Sequence, residues 1–263
     1  MNYESILRSV VALFLLFVSL NDAKANNDSL LNIWNNEFNS TASRLAAMDL
    51  YLEPIEAKMQ NDADEFVDAF LALAKEHGDP KLILRSYLHK ARREYVKSSL
   101  LSSISYFEQA LELSLMAKDT SNIVAGYNGI AINKMQLGKL EEANTNYFKA
   151  LEVLDGYSNK NDKSYLKRMI TNNLSAIFLQ LEQYDDAIEY AKLSLQEALK
   201  LENWNGAIGS CINLSAMYRA KGDLDQAMAY LESAETIIED HEGLNPLFRA
   251  QGKSALGSIL LDK

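Results

Sequence analysis

Apolar residues recur along most of this chain at helical spacing, and short polar breaks carrying Gly, Asp or Pro separate the blocks. Examples are Leu30, Ile33, Trp34 and Phe38, then Phe66, Ala69, Phe70 and Leu73, then Leu214 and Tyr218. Three stretches superimpose on one another: Tyr127–Ala143, Thr171–Ala187 and Cys211–Ala227. Each predicts two helices joined by a tight turn. Gly138 or Gly222 ends the first helix. Asp223 caps the second, and Gln226 three residues later completes a capping-box pattern. A weaker copy precedes them, from Tyr87 through Ala91 and Ser103 to Ala110, and a partial one follows over Lys253–Leu260.

Two helices in a tight hairpin need small side chains where their axes come closest. Those places hold Ala91, Ser103 and Ala110; Ala131, Ala143 and Ala150; Ser175, Ala187 and Ser194; and Ser215, Ala227 and Ala234. Every one is Ala or Ser, while Phe107, Tyr147 and Leu231 stand where the second helix must fill the gap between units. In this pattern the chain resembles a tandem array of tetratricopeptide repeats (TPR). Leu256-Gly257, Ala143, Tyr147 and Ala150-Leu151 match that family's pattern as they stand. The units recur at 40, 44 and 40 residues, at Ala110, Ala150, Ser194 and Ala234. That is longer than the roughly 34 residues of the commonest TPR, and it is similar to the long-repeat variety of bacterial regulatory proteins. Departures are Lys134 at a usually bulky place, and Lys90 and Glu94 at usually apolar ones. The segment from Asp155 to Ser164 reads as a polar linker that accounts for the 44-residue spacing. The resemblance implies an all-α fold, a right-handed superhelical solenoid of helix-turn-helix units.

The organisation expected is a leader at 1–25, a helical cap with one degenerate repeat at 26–79, and an array of about four units at 80–263, the last incomplete. A terminal unit must cover an otherwise exposed apolar face, hence the cap. The last copy stops at Lys263 after its first helix, either as a cap or as the front part of a longer chain. In the leader, Arg8 precedes an eleven-residue apolar run, Val10–Leu20, and Ala23-Lys24-Ala25 forms an A-x-A cleavage pattern. The run is too short to span a bilayer, which takes about 20 residues. Cleavage after Ala25 predicts a periplasmic or secreted protein without stable membrane insertion.

The formal charge of −10 disfavours nucleic acid and anionic membrane as partners. Lys90, Arg92, Arg93 and Lys97 form the densest basic patch, read as a solvated helix face. The single cysteine, Cys211, excludes an internal disulfide and any CxxC pair. His77, His89 and His241 stand in no metal-ligand spacing, and no phosphate loop, nucleophile elbow or dinucleotide fingerprint is present. The acidic pairs Glu141/Glu142 and Asp185/Asp186 sit where carboxylates favour the start of a helix. The expectation is a chain that is no enzyme and takes no metal or cofactor.

Function then falls to the inner surface that the first helix of each unit lines in TPR arrays. Carried over position by position, the resemblance places a peptide-binding groove at Arg85, Leu88, Arg92 and Tyr95; Asn128, Ile132 and Met135; Met169, Asn172, Asn173, Ala176 and Leu179; and Ile212, Asn213, Ala216 and Arg219. Asparagine amides pair with a peptide's N–H and C=O together, or equally with neighbouring helices. The reading is an exported scaffold that binds a protein or peptide partner. The alternative is the extracytoplasmic input portion of a longer bacterial signal-transduction protein.

Overall fold

The computed structural model describes residues 27–53 and 63–241, and among them every regular element is a helix. The expected leader and the partial copy at Lys253–Leu260 lie outside the described residues. In chain order the helices are α1 (residues 27–35), α2 (Thr41–Leu52), α3 (Ala63–His77), α4 (Pro80–Val96), α5 (Leu100–Ala117), α6 (Thr120–Gln136), α7 (Leu140–Asp155), α8 (Lys160–Gln180), α9 (Tyr184–Lys200), α10 (Trp204–Lys221) and α11 (Leu224–Asp240). The chain divides into two units, Met1–Leu113 and Ser114–Lys263.

Caps written into the sequence start these helices. Asp79 accepts the Lys81 N–H ahead of Pro80, whose fixed φ suits the first helical turn. Asp119, Asn159, Asn203 and Asp223 do the same for α6, α8, α10 and α11, each accepting the N–H three residues on. The helix ends are closed by one recurring device. At Ser98, Lys118, Gly138, Glu182, Glu202 and Gly222 the backbone turns left-handed, with φ between 51° and 88°. The following N–H then reaches back five residues, as Asp223 does to the Tyr218 carbonyl, while the left-handed residue's own N–H reaches back three, as Gly222 does to Arg219. This pair of bonds is the Schellman motif, and it satisfies carbonyls that a helix end would otherwise strand.

In the first unit, α1, α2 and α3 enclose Trp34, Leu45, Met48, Leu52, Val67 and Phe70. Across α4 and α5, Ser103 donates its hydroxyl to the Ala91 carbonyl at 2.8 Å, a bond only close helices allow. In the second unit, successive helices from α6 to α11 pack on one another, and the first helices α6 and α8 also touch. Tyr147, Leu154, Ile170, Leu174, Ile177 and Leu214 fill that core. All twelve small residues singled out above are at most 1% exposed. A larger side chain at any of them would push two backbones apart.

Two expectations are corrected. The stretch from Asp155 to Ser164 is mostly helix: the connection is residues 156–159, and Lys160–Ser164 open the 21-residue α8. Asn159 caps that turn and Asp162 stands inside it, where a carboxylate favours the helix dipole. The basic patch on α4 is not a solvated face. Lys90 and Arg93 are each 8% exposed and turn towards α3, Lys90 onto Asp68 and Arg93 onto Asp64. Glu94, also 8% exposed, takes Lys90 at 3.3 Å. Buried cations require such partners, because an unpaired charge out of water is far costlier than a paired one.

Candidate functional site

Within the second unit, the first helices α6, α8 and α10 carry asparagines that meet across the helix boundaries. The Asn173 amide donates to Asn128 Oδ1 at 3.3 Å, and the Asn213 amide donates to Asn172 Oδ1 at 3.2 Å. Asn128 in turn points its Nδ2 at the Met169 sulfur, 4.0 Å away. Both amide pairs are longer than the 2.9–3.0 Å usual for N–H···O, so each rung is weak. Each uses one donor and one acceptor from amides that offer two donors and two lone pairs. Asn213, Ala216 and Arg219 are exposed, Asn172, Asn173 and Ala176 are half-buried, and Asn128 is nearly closed off at 9% exposure. Ile132, Met135 and Leu179 are half-buried and lean on the core, and Ile212 packs beside Cys211 and Ala234. The result is a strip of weakly engaged amides flanked by partly covered apolar groups.

The expected residues of the first unit fall on α4, with a different chemistry. Leu88 is a correction: at 1% exposure it is part of the core and presents nothing to a ligand. Arg85 reaches across to α2, with Nε at 2.9 and 3.1 Å from the two Asp49 oxygens and a terminal nitrogen 2.6 Å from Glu53 Oε2. One turn on, His89 is fully buried and puts Nε2 2.7 Å from Asp49 Oδ1, its ring edge against Phe70. Its Nδ1 has no hydrogen-bond partner. Arg92, partly buried, follows on the same face, and Tyr95 one turn beyond it is half-buried.

Charge and burial oppose each other here. Burial pushes the Asp49 carboxyl up, but the His89 ring and the Arg85 charge outweigh it and hold it below its ordinary value. Glu53 is lowered likewise, by the Arg85 and Arg92 charges against its own burial. Burial drives His89 down, and its bond to Asp49 recovers only part of the loss. Burial also lowers Arg92.

Sequence reading missed this cluster because Asp49 and Glu53 lie 36 and 32 residues from Arg85 in the chain. The only local signal is that Asp49 and Glu53 share one helix face, as do Arg85, His89 and Arg92. One ligand atom each from Asp49, Glu53 and His89 lie within 4.8 Å of one another, close enough to hold a cation. Arg85 already occupies both carboxylates and supplies their counter-charge, so the group reads as a closed ion-pair network. Cys211 is buried, and burial pushes its thiol up to about 11, leaving it inert as a nucleophile. No described helix is long and apolar enough to cross a membrane.

Residues 208–241, which span most of α10 and all of α11, match a family model described as tetratricopeptide repeat. No curated protein matches the chain. Among solved structures, BtubC (BKLC) from P. vanneervenii is 20% identical, with a TM-score of 0.69 over 86% of this chain and 92% of that one. The apo form of RapI is 14% identical, with a TM-score of 0.72 over 93% and 67%. NprR in complex with its cognate peptide NprX is 18% identical, with a TM-score of 0.56 over 97% and 72%. Identities this low show the fold alone, and with the family match they give a chain of TPR-like helical fold that contains a tetratricopeptide repeat.

Proposed function

We propose that this chain is an exported, non-catalytic scaffold whose first-helix face binds an extended stretch of a partner polypeptide. The paired asparagines of α6, α8 and α10 carry the reading. Bonds of 3.2 and 3.3 Å between amides with spare donors and lone pairs are readily exchanged for a peptide's backbone groups. Met169, Ile132, Met135 and Leu179 beside them offer contact that adapts to different side chains. The likeness to NprR, solved with its peptide NprX, supports a peptide partner. The 40-residue spacing supports the long-repeat variety, and the leader at 1–25 supports release outside the cytoplasm.

The test uses the chain from Asn26 as bait in the host's extracytoplasmic fraction, with mass spectrometry as readout. A stoichiometric protein partner is expected, and replacing Asn172 and Asn213 together by alanine should weaken it by about tenfold, the loss of one good hydrogen bond. An unaltered affinity in that variant would remove the asparagine strip from the binding surface. Export is tested separately: the mature protein should begin at Asn26, and a chain retaining residues 1–25 would refute cleavage there.

A further inference from the structure

We infer that His89 is the latch of a pH-operated cap: when its ring takes up a proton, α1 and α2 open away from α3 and α4. The inference concerns the first unit alone and goes beyond peptide binding, so it stands whether or not a partner occupies the asparagine strip.

Three helices of the first unit meet at this ring, which is 0% exposed. Asp49 of α2 lies 2.7 Å from Nε2, and Glu53, just past the end of α2, lies 3.9 Å from it. Arg85 and Arg92 stand about one turn to either side on α4. From α3 comes Phe70, its ring centroid 5.8 Å away and set edgewise, while Asp68 of the same helix turns instead to Lys90. A carboxylate can only accept, so Nε2 carries the hydrogen of the neutral ring. Nδ1 is then a bare lone pair, buried and without a hydrogen-bond partner among the described residues. Protonation puts a hydrogen there, and a buried donor without an acceptor forfeits its bond to water for nothing. Asp49 offers the added charge little, because Arg85 already holds both of its oxygens, at 2.9 and 3.1 Å. The closed cluster therefore admits only the neutral ring.

Opening α2 is how the ring reaches water. Arg85 and His89 tie α4 to the end of α2 through Asp49 and Glu53. Beside them the hold on α2 is apolar, Leu45, Met48, Tyr51 and Leu52 packing with Trp34 of α1 on Val67 and Phe70 of α3. Phe70 touches that core and the imidazole alike, so a displaced ring is felt at the cap. Burial holds His89 below its ordinary 6.5 in the closed form. In the open form the ring meets water and titrates near 6.5. Below that pH the open form binds a proton that the closed form does not, and opening gains up to about tenfold per pH unit until the lowered value is reached. Asp49 and Glu53, held down by their cationic neighbours against their own burial, stay ionised across this range. An exported protein meets the pH of its surroundings, which gives such a latch its use, but the latch itself is tested without reference to export.

The experiment follows amide hydrogen exchange by NMR in the full mature chain between pH 7 and 5. Rates are expressed as protection factors, so that the intrinsic pH dependence of exchange cancels. Protection over Leu45–Leu52 of α2 should fall by about fivefold to tenfold from pH 6.5 to 5.5, while Leu174 and Ile177 of α8 keep theirs. The Cε1–H signal of His89 in the closed form should stay at its neutral position over the same range. His89→Gln, whose amide can still donate to Asp49 but takes up no proton, should keep its α2 protection constant with pH. Constant α2 protection in the parent chain would overturn the latch. So would an equal loss in α2 and α8, which is global unfolding, or a ring that titrates near 6.5 with protection intact. The same loss in His89→Gln would place the switch elsewhere. Should that variant fail to fold, the ring titration and the comparison of α2 with α8 decide the matter in the parent chain.

Discussion

Replacing Gly222 by alanine isolates the energetics of the turns that divide this chain. Gly222 sits at φ +88°, and a Cβ built on it meets no atom within 4 Å. Steric collision is therefore absent, and the whole effect comes from the backbone. Holding an L-residue left-handed costs about 1–2 kcal/mol. Alanine also restricts the unfolded chain relative to glycine, which returns about 0.4–1 kcal/mol. The net expectation is a loss of about 1 kcal/mol, read as a fall of about 2–4 °C in melting temperature by far-ultraviolet circular dichroism. The complementary change is Glu202→Gly. Glu202 holds the same place in its turn at φ +51° and accepts the strain that glycine avoids. There the two terms oppose each other with reversed signs, giving a gain of up to about 1 kcal/mol. The pair should move in opposite directions. A Gly222→Ala chain that melts at or above the parent would show that residue 222 does not hold the left-handed conformation, and the account of all six turns would go with it.

Ala187 is fully buried where α9 meets its neighbours, so Ala187→Leu should destabilise by about 1–3 kcal/mol through overpacking; an unchanged denaturant midpoint would mean the repeat register is misplaced. His89 is held below its ordinary 6.5, chiefly by burial, so the neutral ring is what the fold prefers. Its contribution is complete above pH 6.5 and is lost as pH falls through the lowered folded value, so the melting temperature should decline on acidification from about pH 7 towards 5. His89→Gln should flatten that part of the pH profile, and an identical slope in the variant would rule His89 out as its source. Asp64, held at about 2 by its bond from Arg93, adds a further loss only at more acid pH, which Asp64→Asn should remove from the profile.

The parts of this architecture that were legible in the sequence are those fixed by local size and shape. A place where two helix backbones touch admits only Ala or Ser, and that constraint is visible residue by residue at Ala143, Ala187 and Ala227. Turns were legible only where glycine marks them, at Gly138 and Gly222. Ser98, Lys118, Glu182 and Glu202 adopt the same left-handed conformation because the Schellman bonds impose it, and nothing in their side chains announces it. The ion pairs of α4 were hidden for another reason: Lys90 and Arg93 find Asp68 and Asp64 22 and 29 residues away, by packing rather than by spacing. The opening turn of α8 was misread on polarity, although Asn159 followed by Asp162 is a start signal that polarity alone obscures.

The asparagine rungs show how the repeat tolerates its own irregularity. Asn128 and Asn173 are 45 residues apart, one more than the 44-residue step between their units. Asn172 and Asn213 are 41 apart, one more than the 40-residue step that follows. Both rungs therefore join a position in one first helix to the next position along in the following one, whatever the length of the intervening unit. The four additional residues form the opening turn of α8 itself, which has 21 residues where α6 has 17, upstream of the rungs. Helical rise and the close-packed small residues then return the chain to the same alignment by the time it reaches Asn172 and Asn173. Four residues added there amount to about one helical turn and leave the amide strip in register. A single residue inserted between Lys167 and Thr171 would instead rotate Asn172 and Asn173 by about 100° off it, since a helix turns once every 3.6 residues.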